Sequence, residues 1–181
     1  KNNVESEIYK FVDKYRKDKK LKPSDIWQIV QIFDTDGTYV DDSAIVKGNS
    51  TEFIYSTENI FCKNIQKVKE RNEHKREIMN YLLGCNNIKG IPYKCYYLSS
   101  NLDHALFNQL NLDEELKKQY SQAFYEQFMG KELLFINFLE MEVANGVPES
   151  FPASWRYIQE DLHSLERHTN LYIYFRENPI L

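Results

Sequence analysis

The sequence predicts an α/β fold in which helices flank a mostly parallel central sheet of about four strands. Short runs of β-branched and aromatic residues alternate along the chain with longer segments of helical periodicity. This pattern is typical of parallel strands joined by right-handed helical crossovers. Two of the runs end abruptly in polar residues, as strands do where an open sheet binds its ligand. We expect a single domain over residues 1–181, with a helical subregion at about 103–168.

The individual elements follow from periodicity and from turn residues. Apolar residues at every third or fourth position predict helices, apolar β-branched and aromatic runs predict strands, and Gly, Pro and Asn mark the boundaries. In the first half of the chain we expect an opening helix that Pro23 breaks, strands at 26–34 and 53–56, a helix over 63–83 and a strand at 93–98. In the second half we expect helices at 103–110, 113–128 and 131–143, a helix that Ser154 caps and that runs to about 167, and a final strand at 171–175.

Composition narrows the class of protein. With 42% hydrophobic and 28% charged residues the chain is globular rather than disordered. A net charge of -4 argues against binding nucleic acid by overall charge, although it leaves room for a local basic face. The chain has an odd number of cysteines, which does not suggest a disulfide framework, and none of them has the CxxC spacing of a zinc site. They are Cys62, Cys85 and Cys95. Without an apolar run of membrane-spanning length or a signal peptide, we expect a cytoplasmic protein that makes no membrane contact.

The strand predicted at 26–34 ends in a pair of acids, Asp34 and Asp36, followed by Gly37. Residues two apart on an extended strand share a face, so both carboxylates can approach one divalent cation, and the glycine permits the sharp turn that follows. Such a sequence is also a common turn after a strand. Its position at a strand end favours a metal site for Mg2+ or Mn2+.

A second polar segment, Ser99 to His104, follows the strand predicted at 93–98. If the two strand ends meet at one edge of the sheet, Asn101 or Asp103 could complete the shell of the metal or contact substrate. His104 could move a proton or hold a phosphate. Ser100 or Asn101 could also cap the helix that follows, and the two roles are compatible.

Basic residues on two predicted helices could contact phosphates. Lys67, Arg71 and Lys75 form an i, i+4, i+8 stripe on the helix over 63–83. Glutamates interleave with this stripe, which is equally typical of a solvated helix with ion pairs. Farther along the chain, Arg167 lies one turn after His163, and a structural role or a substrate-facing arginine suits this position better than a metal site does.

The string Phe33-Asp34-Thr35-Asp36-Gly37-Thr38 resembles the first motif of the haloacid dehalogenase-like phosphatases. That resemblance implies that Asp34 is a nucleophile and Asp36 an acid/base, and Leu98-Ser99-Ser100-Asn101 is similar to the second motif of the family. The later acidic motif of the family has no match, because Arg176-Glu177-Asn178-Pro179 follows the predicted final strand.

A helix followed by a strand ending in Asp34-Thr35-Asp36 also resembles the Toprim fold, a Rossmann-like arrangement. The nearest likeness is to small Toprim-like proteins of bacterial defence, namely the RloB-like proteins, the OLD-type nucleases and the abortive-infection partner of an ABC-type ATPase. The segment 97–106 is similar to the Ser-Asn-Pro-type segment of the RloB-like proteins. In this family a glutamate follows an earlier strand, which would precede Lys1 here.

The Toprim resemblance implies a Mg2+- or Mn2+-dependent nuclease that hydrolyses RNA or DNA in antiviral defence. Asp34 and Asp36 would hold the cation, and Asp103 or Asn101 would orient the reacting group. The residues expected to bind substrate are Arg71, Lys75, Asn101, His104 and Arg167.

Two alternatives stay open at this point. One is a phosphatase with Asp34 as nucleophile. The other is a non-catalytic Toprim-like module that docks on an ABC/AAA-type ATPase through its aromatic helices, a spacing that is also typical of a core. A homo-oligomer is left open as well. The aromatic residues concerned are Phe124, Tyr125, Phe128, Phe135 and Phe138.

Overall fold

Helices and short strands alternate along residues 2–179, the part of the chain that the computed structural model describes. The helices are α1 (Asn2–Asp18), α2 (Ile65–Leu83), α3 (Leu102–Phe107), α4 (Glu114–Phe128), α5 (Glu132–Phe138), α6 (Phe151–Ile158) and α7 (Leu171–Glu177). The strands are β1 (Ile29–Asp34), β2 (Ile45–Lys47), β3 (Ile54–Tyr55), β4 (Ile60–Cys62), β5 (Asn87–Ile88), β6 (Ile91–Ser99) and β7 (His168–Thr169). A π-helical segment, Leu139–Val143, continues α5. Within the described range, every helix is too short or too polar to cross a membrane.

The strands of the described residues form two small sheets. In the four-stranded sheet, β6 pairs in parallel with β1 and antiparallel with β5 and β7. In the three-stranded sheet, β4 pairs in parallel with β2 and antiparallel with β3. The predicted α/β class is therefore confirmed. The expectation of a mostly parallel sheet is not, because only β1–β6 and β2–β4 are parallel pairs in this part of the chain.

Strand β6 organises the core because its residues alternate between two faces. Tyr96 and Leu98 pack with Leu139 and the apolar face of α7, whereas Tyr93 and Tyr97 belong to a cluster on the opposite face. Helix α1 and Trp155 of α6 pack on that opposite face. A third cluster fills the space between the small sheet, α2 and Leu165. The carboxyl end of β6 is thus buried on both sides and cannot shift easily relative to β1.

The last third of the chain differs from the prediction. Segment 171–175 lies in helix α7 and is not a strand. Asn170, the residue before it, accepts a hydrogen bond from the Tyr97 amide at 2.9 Å. A short apolar run does not distinguish a buried helix from a strand. Helix α6 is capped by Ser150 and ends at Ile158, so the predicted helix from Ser154 to about 167 is wrong. Ser154 lies inside α6, where its hydroxyl accepts from the Asn170 side chain.

Gly37, just after β1, occupies a position that only glycine fits. Its φ is +64°, in the left-handed region, and an added Cβ would lie 2.6 Å from Leu165 Cδ2 and 2.9 Å from Ile60 Cδ1. Both the backbone conformation and the packing therefore exclude a side chain. Gly37 holds the turn against the third core cluster.

We expect Gly37→Ala to destabilise the fold by about 2–4 kcal/mol, from left-handed strain and overpacking together. Gly130→Ala is the matched control, because Gly130 has a φ of +67° and open space around it. The control should lose only about 1–2 kcal/mol, the cost of the strain alone. Urea unfolding followed by circular dichroism measures both values. Equal losses in the two variants would show that contact with Leu165 and Ile60 does not matter.

Candidate functional site

The loop after β1 is fixed by three backbone hydrogen bonds to distant segments. They run from Thr35 N to Leu98 O (3.1 Å), from Asp36 N to Ser100 O (2.6 Å) and from Gly37 N to Ser164 O (3.0 Å). The first two bind the loop to the end of β6, and the third binds it to the turn that precedes β7. The backbone that carries Asp34 and Asp36 is therefore set by the tertiary structure and not by the local turn alone.

Thr35 lies between the two acids and points inward. Its side chain is fully buried, and its hydroxyl donates to the carbonyl of Ser164 at 2.7 Å, with Ser99 Oγ 3.1 Å away. Ser99 in turn donates to the carbonyl of His163 at 2.8 Å. The acids on either side of Thr35 are less buried: Asp34, the last residue of β1, is exposed, and Asp36 in the turn that follows is partly exposed. Thr35 was not singled out from the sequence, although a hydroxyl residue between two acids at a strand end is a usable signal.

The two carboxylates have different surroundings. Asp34 is an exposed residue, yet enough protein surrounds its carboxylate that desolvation, and then the nearby charge of Asp36, raises its pKa to about 6. Asp103 adds a smaller repulsion, whereas Lys75 and the backbone N–H of Leu102 favour the ionised form. Asp36 adopts a left-handed backbone with a φ of +49°. Its Oδ2 accepts from Lys75 Nζ at 2.5 Å.

Helix α2 brings Lys75 and Arg71 to this loop. Lys75 faces Asp36, with a quarter of its side chain exposed, so it stays accessible to a ligand. Arg71 is used internally: it donates to the carbonyl of Asp36 at 2.8 Å and to the hydroxyl of Tyr55 at 2.6 Å. Its guanidinium also lies 4.9 Å from the ring centre of Phe53. Of the predicted basic stripe, Lys75 is thus presented to the site and Arg71 supports the loop.

Asn72 is a second residue that the sequence analysis missed. It is 2% exposed, donates to the carbonyl of Gly37 at 3.2 Å and accepts from Arg71 at 2.7 Å. Its place on the buried face of α2, one turn after Val68, is the available signal, because a polar residue in an apolar stripe needs a partner. Asn72 ties helix α2 to the loop.

The segment after β6 forms the other wall of the site. Asn101 caps α3, with its Oδ1 accepting from the His104 amide at 2.9 Å. His104 is buried, its Nδ1 accepts from the Ser100 amide at 3.3 Å, and burial lowers its pKa to about 4. His104 is therefore neutral near pH 7 and supports the turn instead of facing a phosphate. Asp103 lies close enough to Asp34 to raise its pKa, so the structure brings these two predicted residues together.

Arg167 is placed behind this wall. Its Nε donates to the carbonyl of Ala105 at 3.0 Å, and its guanidinium lies 5.6 Å from the ring centre of Phe138. Burial lowers its pKa from the usual value. These contacts connect Arg167 to α3 and to α5, so its observed role is to hold α3 and not to face a substrate beside Asp34.

The chemistry of the two acids suits a hard divalent cation. Within residues 2–179, no three His, Cys, Asp or Glu side chains cluster as a complete metal centre would require. Mg2+ usually takes one or two carboxylates and completes its shell with water and substrate oxygens, and Asp34 and Asp36 match that donor set. A cation would compete with Lys75 for Oδ2 of Asp36.

Known proteins provide no guide to the use of this site. Comparison of the chain with protein-family models, with curated proteins and with solved structures found no significant match.

We expect Asp34→Asn to raise the melting temperature by on the order of 1–3 °C at about pH 7.5. The folded-state pKa of about 6 lies above the ordinary value of 3.8 for an aspartate. The folded state therefore holds this proton more tightly, and stability falls as the pH rises between these two values. Above about pH 6 the wild type carries the full cost of ionising Asp34, and below about pH 4 the difference between the two proteins should vanish.

Scanning calorimetry across this pH range checks the prediction. Asp113→Asn is the control, because Asp113 is an exposed helix cap that Asn can replace. The control should show no gain that grows with pH. A lower melting temperature for Asp34→Asn at about pH 7.5 would contradict the repulsion described for this loop.

Proposed function

We propose that this chain is a Mg2+-dependent nuclease of the Toprim-like class that hydrolyses phosphodiester bonds in RNA or DNA. The observation that carries the proposal is the meeting of Asp34 and Asp36 at the carboxyl end of β1, with Asp103 close enough to add to their repulsion. A divalent cation relieves this repulsion and is also what a phosphodiester requires at its scissile phosphate.

In this proposal some residues bind the cation or the substrate, and others hold those residues in position. Asp34 and Asp36 would hold the cation, which would neutralise charge on the scissile phosphate and lower the pKa of water. Lys75 supplies a further positive charge beside Asp36. Asp103 would orient the reacting group. Arg71 is a positioning residue that acts through the carbonyl of Asp36.

The order of the elements supports the Toprim-like assignment. Helix α1 precedes β1, and the connection from β1 to its parallel neighbour β6 contains the three-stranded sheet, then α2 and β5. Polar residues follow both of these strands, as expected for a site at the carboxyl ends of parallel strands. On this proposal the protein works in the bacterial cytoplasm as an antiviral effector, with an ABC/AAA-type ATPase as its candidate partner.

Cleavage should require Mg2+ or Mn2+, and Asp34→Asn and Asp36→Asn should each reduce it at least about a hundredfold. The reason is the loss of cation charge at the phosphate, which is worth several kcal/mol. The assay compares tRNA, single-stranded and duplex substrates, with Asp113→Asn as a control that keeps full activity.

A second readout does not depend on finding the right substrate. Mn2+ titration by calorimetry should show binding to the wild type and to Asp113→Asn but a clear loss of affinity in Asp34→Asn. Wild-type levels of both cleavage and Mn2+ binding in Asp34→Asn would eliminate the mechanism.

One observation favours a second candidate, a phosphatase with Asp34 as nucleophile. Lys75 lies on Asp36, and Ser100 at the end of β6 has a buried hydroxyl with no hydrogen-bond partner among the described residues. Lys75 beside Asp36 could pair with a phosphate monoester, and the Ser100 hydroxyl could donate to it only after becoming exposed. In that case a carboxylate oxygen of Asp34 would attack phosphorus and the alcohol would leave.

Trapping separates the two candidates. If the nuclease proposal holds, beryllofluoride with Mg2+ should leave Asp34 unmodified, and acetyl phosphate should add no phosphoryl group to the chain. Fluorine NMR and intact-mass spectrometry measure these two outcomes. An adduct that Asp34→Asn abolishes and Asp113→Asn retains would establish the phosphatase instead.

A further inference from the structure

Lys75 lies on the same carboxylate oxygen that a divalent cation would use. Its Nζ is 2.5 Å from Oδ2 of Asp36, and a quarter of its side chain is exposed. Of the ion pairs among the described residues, this is the only one that involves Lys75. Two positive charges at one oxygen repel each other strongly, so Lys75 and a cation cannot both bind Oδ2.

The loop that carries Asp36 does not depend on Lys75 for its position. Arg71, one turn earlier on α2, donates to the carbonyl of Asp36 at 2.8 Å, and Asn72 donates to the carbonyl of Gly37 at 3.2 Å. Both of these bonds are made to the backbone, so they are kept when the carboxylate of Asp36 changes its partner. Helix α2 and the loop therefore stay together while the side chain of Lys75 leaves Asp36.

The two basic residues differ in a way that suits these two roles. The guanidinium of Arg71 is a rigid fork whose donors are divided between the carbonyl of Asp36 and the hydroxyl of Tyr55. Lys75 instead ends in a single charge on a flexible four-carbon chain. A partly exposed ion pair of this kind contributes little to the stability of a fold, so Lys75 can exchange its partner at little cost.

We propose that cation binding at Asp36 releases Lys75, which then pairs with the substrate phosphate, so that the cation must bind before the phosphate. This inference rests on the proposed function and deepens it by assigning an order of binding. Once a cation is held by Asp34 and Asp36, Lys75 has lost its acidic partner. A phosphate that binds to the cation brings anionic oxygens to the same place, and lysine is a common partner of phosphate.

The reverse order is disfavoured by the charges of the loop. A phosphate that arrives first meets two carboxylates, and the lysine beside them is already paired with Asp36. Like charges repel at this distance, so phosphate alone should bind weakly.

Binding of Mn2+ to the full chain tests whether the oxygen is shared. Lys75→Met removes the competing charge and keeps the apolar part of the side chain, so it should tighten Mn2+ binding about five- to fiftyfold in calorimetry. Lys75→Arg keeps a positive charge and should bind Mn2+ like the wild type. Lys69→Met is the matched control, because Lys69 lies on the same helix but pairs with Asp42. Thermal melting followed by circular dichroism verifies that every variant is folded.

Phosphorus NMR of inorganic phosphate tests the order of binding. The wild type should bind phosphate only when Mg2+ is present. Lys75→Met should weaken this binding at least about fivefold, although it holds the cation more tightly, and Lys75→Arg should restore it. A residue with a merely structural role would weaken the binding of cation and phosphate together. Equal phosphate binding with and without Mg2+ would overturn the proposed order.

These measurements distinguish failure of the exchange from failure of the nuclease. Loss of Mn2+ binding in Asp34→Asn together with unchanged Mn2+ binding in Lys75→Met would overturn the exchange and leave the cation site standing. Tighter Mn2+ binding in Lys75→Met, without cleavage of any nucleic acid by the wild type, would support the exchange and count against the nuclease. Weaker Mn2+ binding in Lys75→Met, or no binding by any of the proteins, would overturn the exchange.

Discussion

The hydroxyl of Thr35 joins three parts of the chain that are far apart in sequence. It donates to Ser164 O, lies beside Ser99 Oγ and is fully buried under the loop that carries the acids. A buried hydroxyl that loses its partner costs about 1–3 kcal/mol, so the end of β6 and the turn at Ser164 must both be in place before this loop is stable. The position of the acids is therefore a property of the assembled core.

The loop that is fixed by Thr35 also keeps two carboxylates, Asp34 and Asp36, close together near the surface. Thr35 is buried, whereas Asp34 and Asp36 on either side of it are at least partly exposed, and backbone hydrogen bonds from Thr35, Asp36 and Gly37 fix the loop between them. Lys75 pairs with Asp36, but desolvation, and then the charge of Asp36, still raises the pKa of Asp34 to about 6. A fold that holds like charges together against its own stability is typical of a binding or catalytic site. A ligand that brings positive charge to the loop, either a cation alone or a phosphate with its bound cation, would relieve this repulsion.

Local sequence signals were enough to predict where the acids lie, but not which residues hold their loop in place. The β-branched run of β1, the helical period of α2 and the cap at Asn101 depend on neighbouring residues, and all three could be predicted. Segment 171–175 could not, because a short apolar run has the same pattern in a buried helix as in a buried strand. Arg71 and His104 were assigned to phosphate for a related reason: residue type indicated charge, whereas burial and partners come only from the tertiary structure.

Residues that do not face the acids can still affect the site by holding helix α3 in position. Its first residue, Leu102, follows shortly after Ser100, whose carbonyl accepts from the Asp36 amide at 2.6 Å. The Leu102 side chain also lines an apolar groove between α3, α4 and α5, so a shift of this helix would move one wall of the site. The helix is only six residues long, and its own hydrogen bonds cannot fix its position. Arg167 holds it from behind through the carbonyl of Ala105, and His104 holds it from within through the Ser100 amide. Two residues whose sequence indicated a role toward substrate thus act on the acids indirectly, by setting the helix from which Leu102 and Asp103 reach Asp34.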